Sequence, residues 1–285
     1  MAPFNLKHWL AAHPGPQVMG IINITPDSFS GDGLMDSDGD AVQRAGQQAR
    51  QMIEEGATML DVGGASTRPG SAPIDAETEI SRVVPVIQAI RALTNLPLSI
   101  DTSWGAVAEA ALQAGATIVN DVWAMQHDAT MTQVVARWQC PIILMHNRSS
   151  PQHVAGASYA PATYHDVVAE VRAEVLALAQ RAEDVGILPE NIILDPGIGF
   201  GKSVDDNLRL IKHARALTQG KYPLLYGLSR KSFIGNVLNV PPAQRDDATA
   251  TLNALVALQG AKILRTHNVK KTAESLALVN AMTRV

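Results

Sequence analysis

One cysteine in 285 residues leaves no partner for an intrachain disulfide, so a disulfide-stapled secreted scaffold is excluded. That residue, Cys140, stands just before an apolar run and is expected to be a buried small hydrophobe rather than a nucleophile. No apolar stretch reaches the roughly 18 residues of a membrane-spanning helix. The opening MAPFNLKHWLAAHPG lacks the layout of a secretory signal, and a cytoplasmic location is the expectation. Basic residues are not in excess: 23 Lys and Arg against 27 Asp and Glu give a formal charge of −4, with no counterpart to a nucleic acid or an anionic membrane surface. Also lacking are paired Cys or His at metal-ligand spacing, a Ser, His and Asp order suggesting a triad, and the three-glycine dinucleotide pattern. The segment Gly197-Ile198-Gly199-Phe200-Gly201 is only weakly like a phosphate loop and opens no obvious helix. Its glycines better suit a backbone that passes close to a ligand and positions Phe200.

What the sequence has is a repeat of short apolar runs. They lie at 17–22, 57–62, 96–100, 117–119, 141–145, 191–194, 222–228 and 261–264, each followed by a helix-length stretch. Six of them give way directly to polar residues: Asn23, Asp101, Asn120, Asp195, Ser229-Arg230-Lys231 and Arg265-Thr266-His267. Polar groups gathered at the C-terminal ends of eight parallel strands describe the mouth of an α/β (β/α)8 TIM barrel, where such enzymes keep their active sites. The length suits one such domain, and a 46% hydrophobic content supplies a large core. The expected layout is a single barrel over 17–285 behind an N-terminal extension, 1–16.

Between the runs, helical spacing is visible at Ile80, Val83, Val84, Ile87, Ile90 and Leu93. Pro85 must either kink that helix or fall in its first turns. Asp101-Thr102-Ser103 offers cap candidates for a helix over 104–115, closed by Gly115. Further helices are expected over 163–186, 205–219, 245–260 and 269–283. The long connections 23–38, 63–77 and 146–162 would lie at the catalytic end.

Arg265 and His267 after the eighth strand, with Arg230 and Lys231 after the seventh, occupy the recurrent phosphate site of barrel enzymes, and Arg68 adds a further cation. Each also fits a solvated surface charge. Asp101, Asn120 and Asp195 would converge on one pocket, where a carboxylate matches the paired N–H donors of a planar amino-heterocycle. Asp101 equally fits a helix cap; Asp195, before Pro196-Gly197, fits one less well. His146 fits either the site or a structural role.

Taken together, GIINITPDSFS (20–30), GGASTRPG (63–70), SIDT (99–102), Asn120-Asp121, DPGIGFGK (195–202), LSRKSFIG (228–235) and RTH (265–267) closely resemble the dihydropteroate synthase family, in that family's order. The resemblance spans about residues 17 to 283. It implies condensation of 6-hydroxymethyl-7,8-dihydropterin diphosphate with p-aminobenzoate on the way to folate. It also implies that Asp101, Asn120, Asp195 and Lys231 bind the pterin. Arg265, Thr266 and His267, with Thr67 and Arg68, would receive the diphosphate, and Lys231, Arg265 and His267 would carry the chemistry. Phe29, Ser66, Thr67, Pro69, Phe200 and Ser229 match positions that enclose p-aminobenzoate and, through it, sulfonamides. Asn23 matches a contact to Mg²⁺, an ion that keeps its waters and prefers substrate phosphates. Family members usually dimerise through their late helices, and the Ala- and Leu-rich stretches 245–260 and 269–283 suit a homodimer.

Four positions depart from the family's commonest pattern. Ala65 stands where many members carry Glu, Asn268 where Asp is frequent, the first loop reads SGDG, and Val122-Trp123-Ala124 follows Asn120-Asp121. Two rivals share the resemblance. A corrinoid-type pterin-binding methyltransferase would lack the Arg230-Lys231 pair and the diphosphate site, and a non-catalytic pterin-binding paralogue would lack turnover.

Overall fold

The computed structural model describes residues 4–24, 41–65, 74–148, 162–218 and 220–284. All eight apolar runs form strands: β1 Gln17–Asn23, β2 Met59–Gly63, β3 Leu98–Asp101, β4 Ile118–Asp121, β5 Ile142–Met145, β6 Ile192–Asp195, β7 Leu225–Tyr226 and β8 Ile263–Thr266. Every pairing is parallel, in the order β6-β5-β4-β3-β2-β1-β8-β7. The sheet is brought round to a barrel by a parallel bridge between Leu194 and Leu224, where the Leu194 N–H donates to the Pro223 carbonyl at 3.0 Å. β7 is much shorter than the 222–228 run. Pro223 has no N–H to give, and this stretch meets its neighbours chiefly through carbonyls, that of Leu224 accepting from Lys262 and Ile263 at 2.8 and 3.1 Å.

Strand alternation sorts each run into two faces. Val18, Leu60, Ile100, Val119, Leu144, Leu194 and Leu264 face outward into the core beneath the helices. Met19, Met59, Ile118, Ile143, Ile193, Leu225 and Ile263 face inward and form a fully buried layer inside the barrel. That layer is closed from below by α1, Leu6–Ala12, whose Leu6 is completely buried among those side chains, with Phe4, Trp9 and Leu10 packed around it. Asn5 caps α1, accepting from the His8 N–H at 2.8 Å. Two residues further along β2, β4, β6 and β8 the inward positions turn polar, and the site is built on that layer.

The remaining helices are α2 Ala41–Glu54, α3 Ala76–Leu93, α4 Gly105–Ala114, α5 Thr130–Trp138, α6 Val167–Asp184, α7 Val204–Lys212, α8 Ala214–Thr218, α9 Ser232–Leu238, α10 Asp246–Leu258 and α11 Val269–Met282. Pro85 lies in the body of α3, not in its first turn. The helix expected over 205–219 is broken at His213, whose non-helical backbone ends α7 before α8 begins. The cap of α4 also differs from expectation. Neither Asp101 nor Ser103 supplies it: the Gly105 N–H is taken by Asp128 Oδ2 at 2.8 Å, leaving Asp101 for the barrel interior. Among the described residues, no helix is long and apolar enough to cross a membrane.

Candidate active site at the barrel mouth

Above the apolar layer, the inward positions are Asp61 on β2, Asp101 on β3, Asn120 on β4, Asp195 on β6 and Arg265 on β8. Arg265 ties them together. Its Nε donates to Asp61 Oδ2 at 2.6 Å and its Nη2 to Asp101 Oδ2 at 2.7 Å, while Asn120 Nδ2 approaches Asp61 Oδ2 at 3.4 Å. Asp61 is fully buried and does not stand out in the sequence, because it lies within the run ATMLDV and looks like an interruption of it. Strand alternation was the available signal: Asp61 follows the inward Met59 by two.

Two carboxylates sharing one guanidinium leave the layer short of positive charge. Burial pushes the Asp101 carboxyl up to about 7; Arg265 and Lys231 pull it down, and Asp61 and Asp121 push it further up. Burial also raises Asp195 above the usual carboxylate range, against the Gly197 N–H, which donates to its Oδ1 at 2.7 Å, and against Lys231, Lys202 and Arg265. Burial works against the charge on Arg265 itself, but Asp61 and Asp101 outweigh it and hold the guanidinium's pKa above its ordinary value. Behind Asp101, Glu79 of α3 is raised to about 7 by burial, with Thr102 and Arg82 opposing and Asp101 adding to the rise.

Lys231, at the start of α9, holds its ammonium 4.1 Å from the centre of the Phe200 ring. Gly199 makes room for it: in a left-handed backbone (φ +83°), a Cβ there would come within 3.0 Å of Lys231 Cδ. Phe200 joins Val122, Trp123 and Met145 in a small apolar wall beside the polar layer. Val122 and Trp123, a departure from the family's commonest sequence, are thus part of that wall. Ser229 Oγ accepts from the His267 N–H at 3.1 Å and lies 2.8 Å from His267 Nδ1, joining the ends of strands seven and eight. Asn23 Oδ1 sits beside the same rim, 3.7 Å from where a Cβ on Gly63 would stand.

Some candidates are placed elsewhere. Thr266 follows Arg265 on β8, so alternation turns it outward, and its hydroxyl meets that of Thr272 on α11 at 3.1 Å. Arg230 is held by Asp246 of α10 through Nε at 2.7 Å and Nη2 at 3.0 Å. His146 is buried behind the mouth against Glu174 and Lys202. Phe29, Ser66, Thr67, Arg68 and Pro69 lie outside the described residues. Asn268 has a clear reason to be an amide: its Oδ1 accepts from the Lys271 N–H at 3.1 Å to cap α11, and its Nδ2 donates to Asp246 Oδ2 at 3.1 Å. Aspartate would keep the cap and repel Asp246. Among the described residues, no group of three or more His, Cys, Asp or Glu could cage a metal. The single neutral oxygen of Asn23 suits a cation brought in by phosphate oxygens.

A deep polar layer around Arg265, with carboxylates of raised pKa and an apolar wall beside it, suits an enzyme whose ligand is planar and polar-edged. Residues 19–267 match the model of the pterin binding enzyme family. The chain is 40% identical over 265 residues to the dihydropteroate synthase of Bacillus subtilis, covering 93% of this chain and 88% of that protein. Two solved structures are similar throughout. One is Xanthomonas albilineans dihydropteroate synthase with 4-aminobenzoic acid (TM-score 0.85, 39% identity, 95% of this chain and 94% of that one). The other is Burkholderia cenocepacia dihydropteroate synthase complexed with 7,8-dihydropteroate (TM-score 0.83, 39% identity, 94% and 92%). The chain belongs to the dihydropteroate synthase family of pterin-binding enzymes.

The Arg265 clamp generates a prediction. Asp61→Ala removes one partner of a largely buried cation, and breaking such a pair costs about 3 kcal/mol or more. Urea unfolding of the variant is expected to show that loss; a change within about 1 kcal/mol would mean that Arg265 finds solvent or another partner freely.

Proposed function

We propose that this mouth condenses 6-hydroxymethyl-7,8-dihydropterin diphosphate with p-aminobenzoate, giving 7,8-dihydropteroate and diphosphate for folate biosynthesis. The observation that carries the reading is the polar layer itself: Asp101, Asn120 and Asp195 lie deep in the mouth around Arg265, with Lys231 beside Asp195. A carboxylate there accepts two parallel donors, a ring N–H and an exocyclic NH₂. Lys231 donates to the pterin oxo group and ring nitrogen. Arg265 and His267, with Arg68, receive the diphosphate. Mg²⁺, held by diphosphate oxygens, water and Asn23, would neutralise charge on the leaving group.

The bond between the pterin methylene carbon and the diphosphate oxygen breaks, and the pair of electrons leaves with diphosphate. The electron-rich dihydropterin spreads the resulting positive charge. The amine of p-aminobenzoate, lying along Phe200 and Ser229 with Phe29, Ser66, Thr67 and Pro69, forms the new C–N bond and then loses a proton. No strong base is needed, because the nucleophile is already neutral. Arginine and histidine aimed at the departing oxygens supply electrostatic stabilisation where charge develops. An aromatic wall that keeps water from the cation favours the amine.

Calorimetry with the pterin tests the assignment. Lys231→Ala and Asp195→Ala each remove a charged hydrogen-bond partner, worth about 1.5–3 kcal/mol, so affinity is expected to fall at least about tenfold. The wild type should also bind the diphosphate-free pterin more tightly as pH rises from about 6 to about 8, because Asp101, raised to about 7, must lose its proton to accept both donors. Near wild-type affinity in both variants would remove the pterin assignment.

A homodimer is the second part of the proposal. Leu255 and Leu258 of α10, Leu278 and Met282 of α11 and Val237 and Leu238 of α9 are exposed, Leu278 at 69%. α10 and α11 pack on each other, so their outer faces adjoin. A two-fold contact between copies would cover them. Light scattering is expected to report about twice the 30.4 kDa chain mass, and Leu278→Glu to return the monomer. A wild type that stays monomeric on concentration would contradict this.

A further inference from the structure

Lys202 ends the 195–202 motif, yet its side chain is buried behind the mouth, only 7% exposed. An ammonium has three protons, and this one has three acceptors: His146 Nδ1 at 3.0 Å, the Gly197 carbonyl at 2.9 Å and the Phe200 carbonyl at 3.2 Å. Two of the three belong to the turn that leaves Asp195. Left-handed backbone at Gly197, Gly199 and Gly201 (φ +66°, +83° and +61°) shapes that turn around the ammonium. Gly197 has no room for a side chain, since a Cβ would fall 2.0 Å from the His146 carbonyl oxygen. On its other side the same turn carries the Asp195 carboxylate, bonded to the Gly197 N–H, and the Phe200 ring against Lys231.

The acceptor at the back is fixed in turn. Because His146 Nδ1 accepts a hydrogen bond from Lys202, its own proton sits on Nε2, which donates to Glu174 Oε2 at 2.8 Å. Arg148 binds Glu174 and Glu170 of α6 and donates to the Thr163 carbonyl at 3.0 Å, tying residues near the two ends of the 146–162 connection to that helix. Burial, with Lys202 adding to it, pushes His146 down to about 4, so it stays a neutral acceptor near neutral pH.

We propose that Lys202 is a positioning residue for the aromatic-amine substrate: its charged ammonium pins the Gly197–Gly201 turn, setting Phe200 against Lys231 and so the affinity for p-aminobenzoate. This rests on reading the mouth as a pterin and aminobenzoate site. Lys202 gives all three of its bonds to the protein. A neutral amine has two protons for three acceptors, so deprotonation releases one strand of the pin. Burial lowers Lys202 to about 7; Lys231 and Arg148 lower it further, and Asp195 and Glu174 oppose them. The groups facing it are Asp195 from β6, Lys231 from the start of α9, Glu174 from α6, and His146 and Arg148 after β5. The tyrosine beside His146, Tyr164, is raised to about 12 by burial and stays uncharged. A lysine held low keeps its bonds below its folded pKa and loses them as pH rises through it. The pin is therefore complete at about pH 6 and slack at about pH 8.5.

Steady-state kinetics at saturating pterin diphosphate test this. In the wild type the KM for p-aminobenzoate is expected to rise by up to about tenfold between about pH 6 and pH 8.5, the size of one lost charge-assisted hydrogen bond. The substrate's own carboxylate does not titrate there. Ionisation of Asp101 over the same range strengthens the pterin side, so the two effects run in opposite directions. Lys202→Met, similar in volume and without a proton to lose, should show the raised KM at both pH values with kcat within about twofold of wild type. A flat wild-type KM, or a Lys202→Met variant with the wild-type KM at low pH, would overturn the proposal. If that variant fails to fold, the wild-type profile alone decides. A wild type that forms no dihydropteroate at any pH would instead overturn the reading of the mouth, a result distinct from a flat KM in an active enzyme.

Discussion

Arg265 held between Asp61 and Asp101 is the interaction on which the rest of the mouth depends. Each contact, at 2.6 and 2.7 Å, is worth about 4 kcal/mol or more of attraction at an effective dielectric near 20. Removing each ion from water costs several kcal/mol in return, so the arrangement adds little net stability. An apolar layer like the one beneath it would serve a barrel better if stability were all that mattered. One cation between two carboxylates also leaves the layer acid-rich, and Asp101 sits where a proton can be exchanged near neutral pH. That poise suits a site built to receive donors along one edge and an anion at the other.

The barrel determines which side chains can join the layer. An inward position on a strand recurs every second residue, so a polar group reaches the interior only if it stands two past another inward residue. Met59 and Asp61, Ile118 and Asn120, Ile193 and Asp195, and Ile263 and Arg265 all keep this spacing. β3 has Ser99 in place of an apolar residue below Asp101, and Ser99 is fully buried. Below, α1 seals the apolar layer, so the polar layer faces the opposite end of the barrel.

Much of this was legible in the sequence because polar residues at the ends of apolar runs are a local pattern. The eight strands, the barrel, and the convergence of Asp101, Asn120 and Asp195 follow from it, whereas the pairing of Arg265 with Asp61 and Asp101 does not. What escaped depends on contacts distant in sequence or on which face of a strand a residue takes. Asp128 caps α4 from 23 residues beyond Gly105, so Asp101 looked like a cap as well as a ligand. Thr266 was grouped with Arg265 and His267 as a triplet, although alternation sends it to α11. Asp61 was hidden inside an apolar run. Lys202 stands at the end of a glycine-rich motif, and nothing local indicates that its acceptors include a histidine 56 residues away.

A mouth built in this way is expected to expel diphosphate only to make a carbon–nitrogen bond. The most direct measurement is diphosphate release from 6-hydroxymethyl-7,8-dihydropterin diphosphate, followed together with dihydropteroate, with and without p-aminobenzoate. Release that needs the amine and matches dihydropteroate mole for mole is the expected result. Release at the same rate without the amine would mean that water captures the pterin cation freely, and no release at all would mean that the site binds pterin without turning it over; either would contradict amine-coupled release.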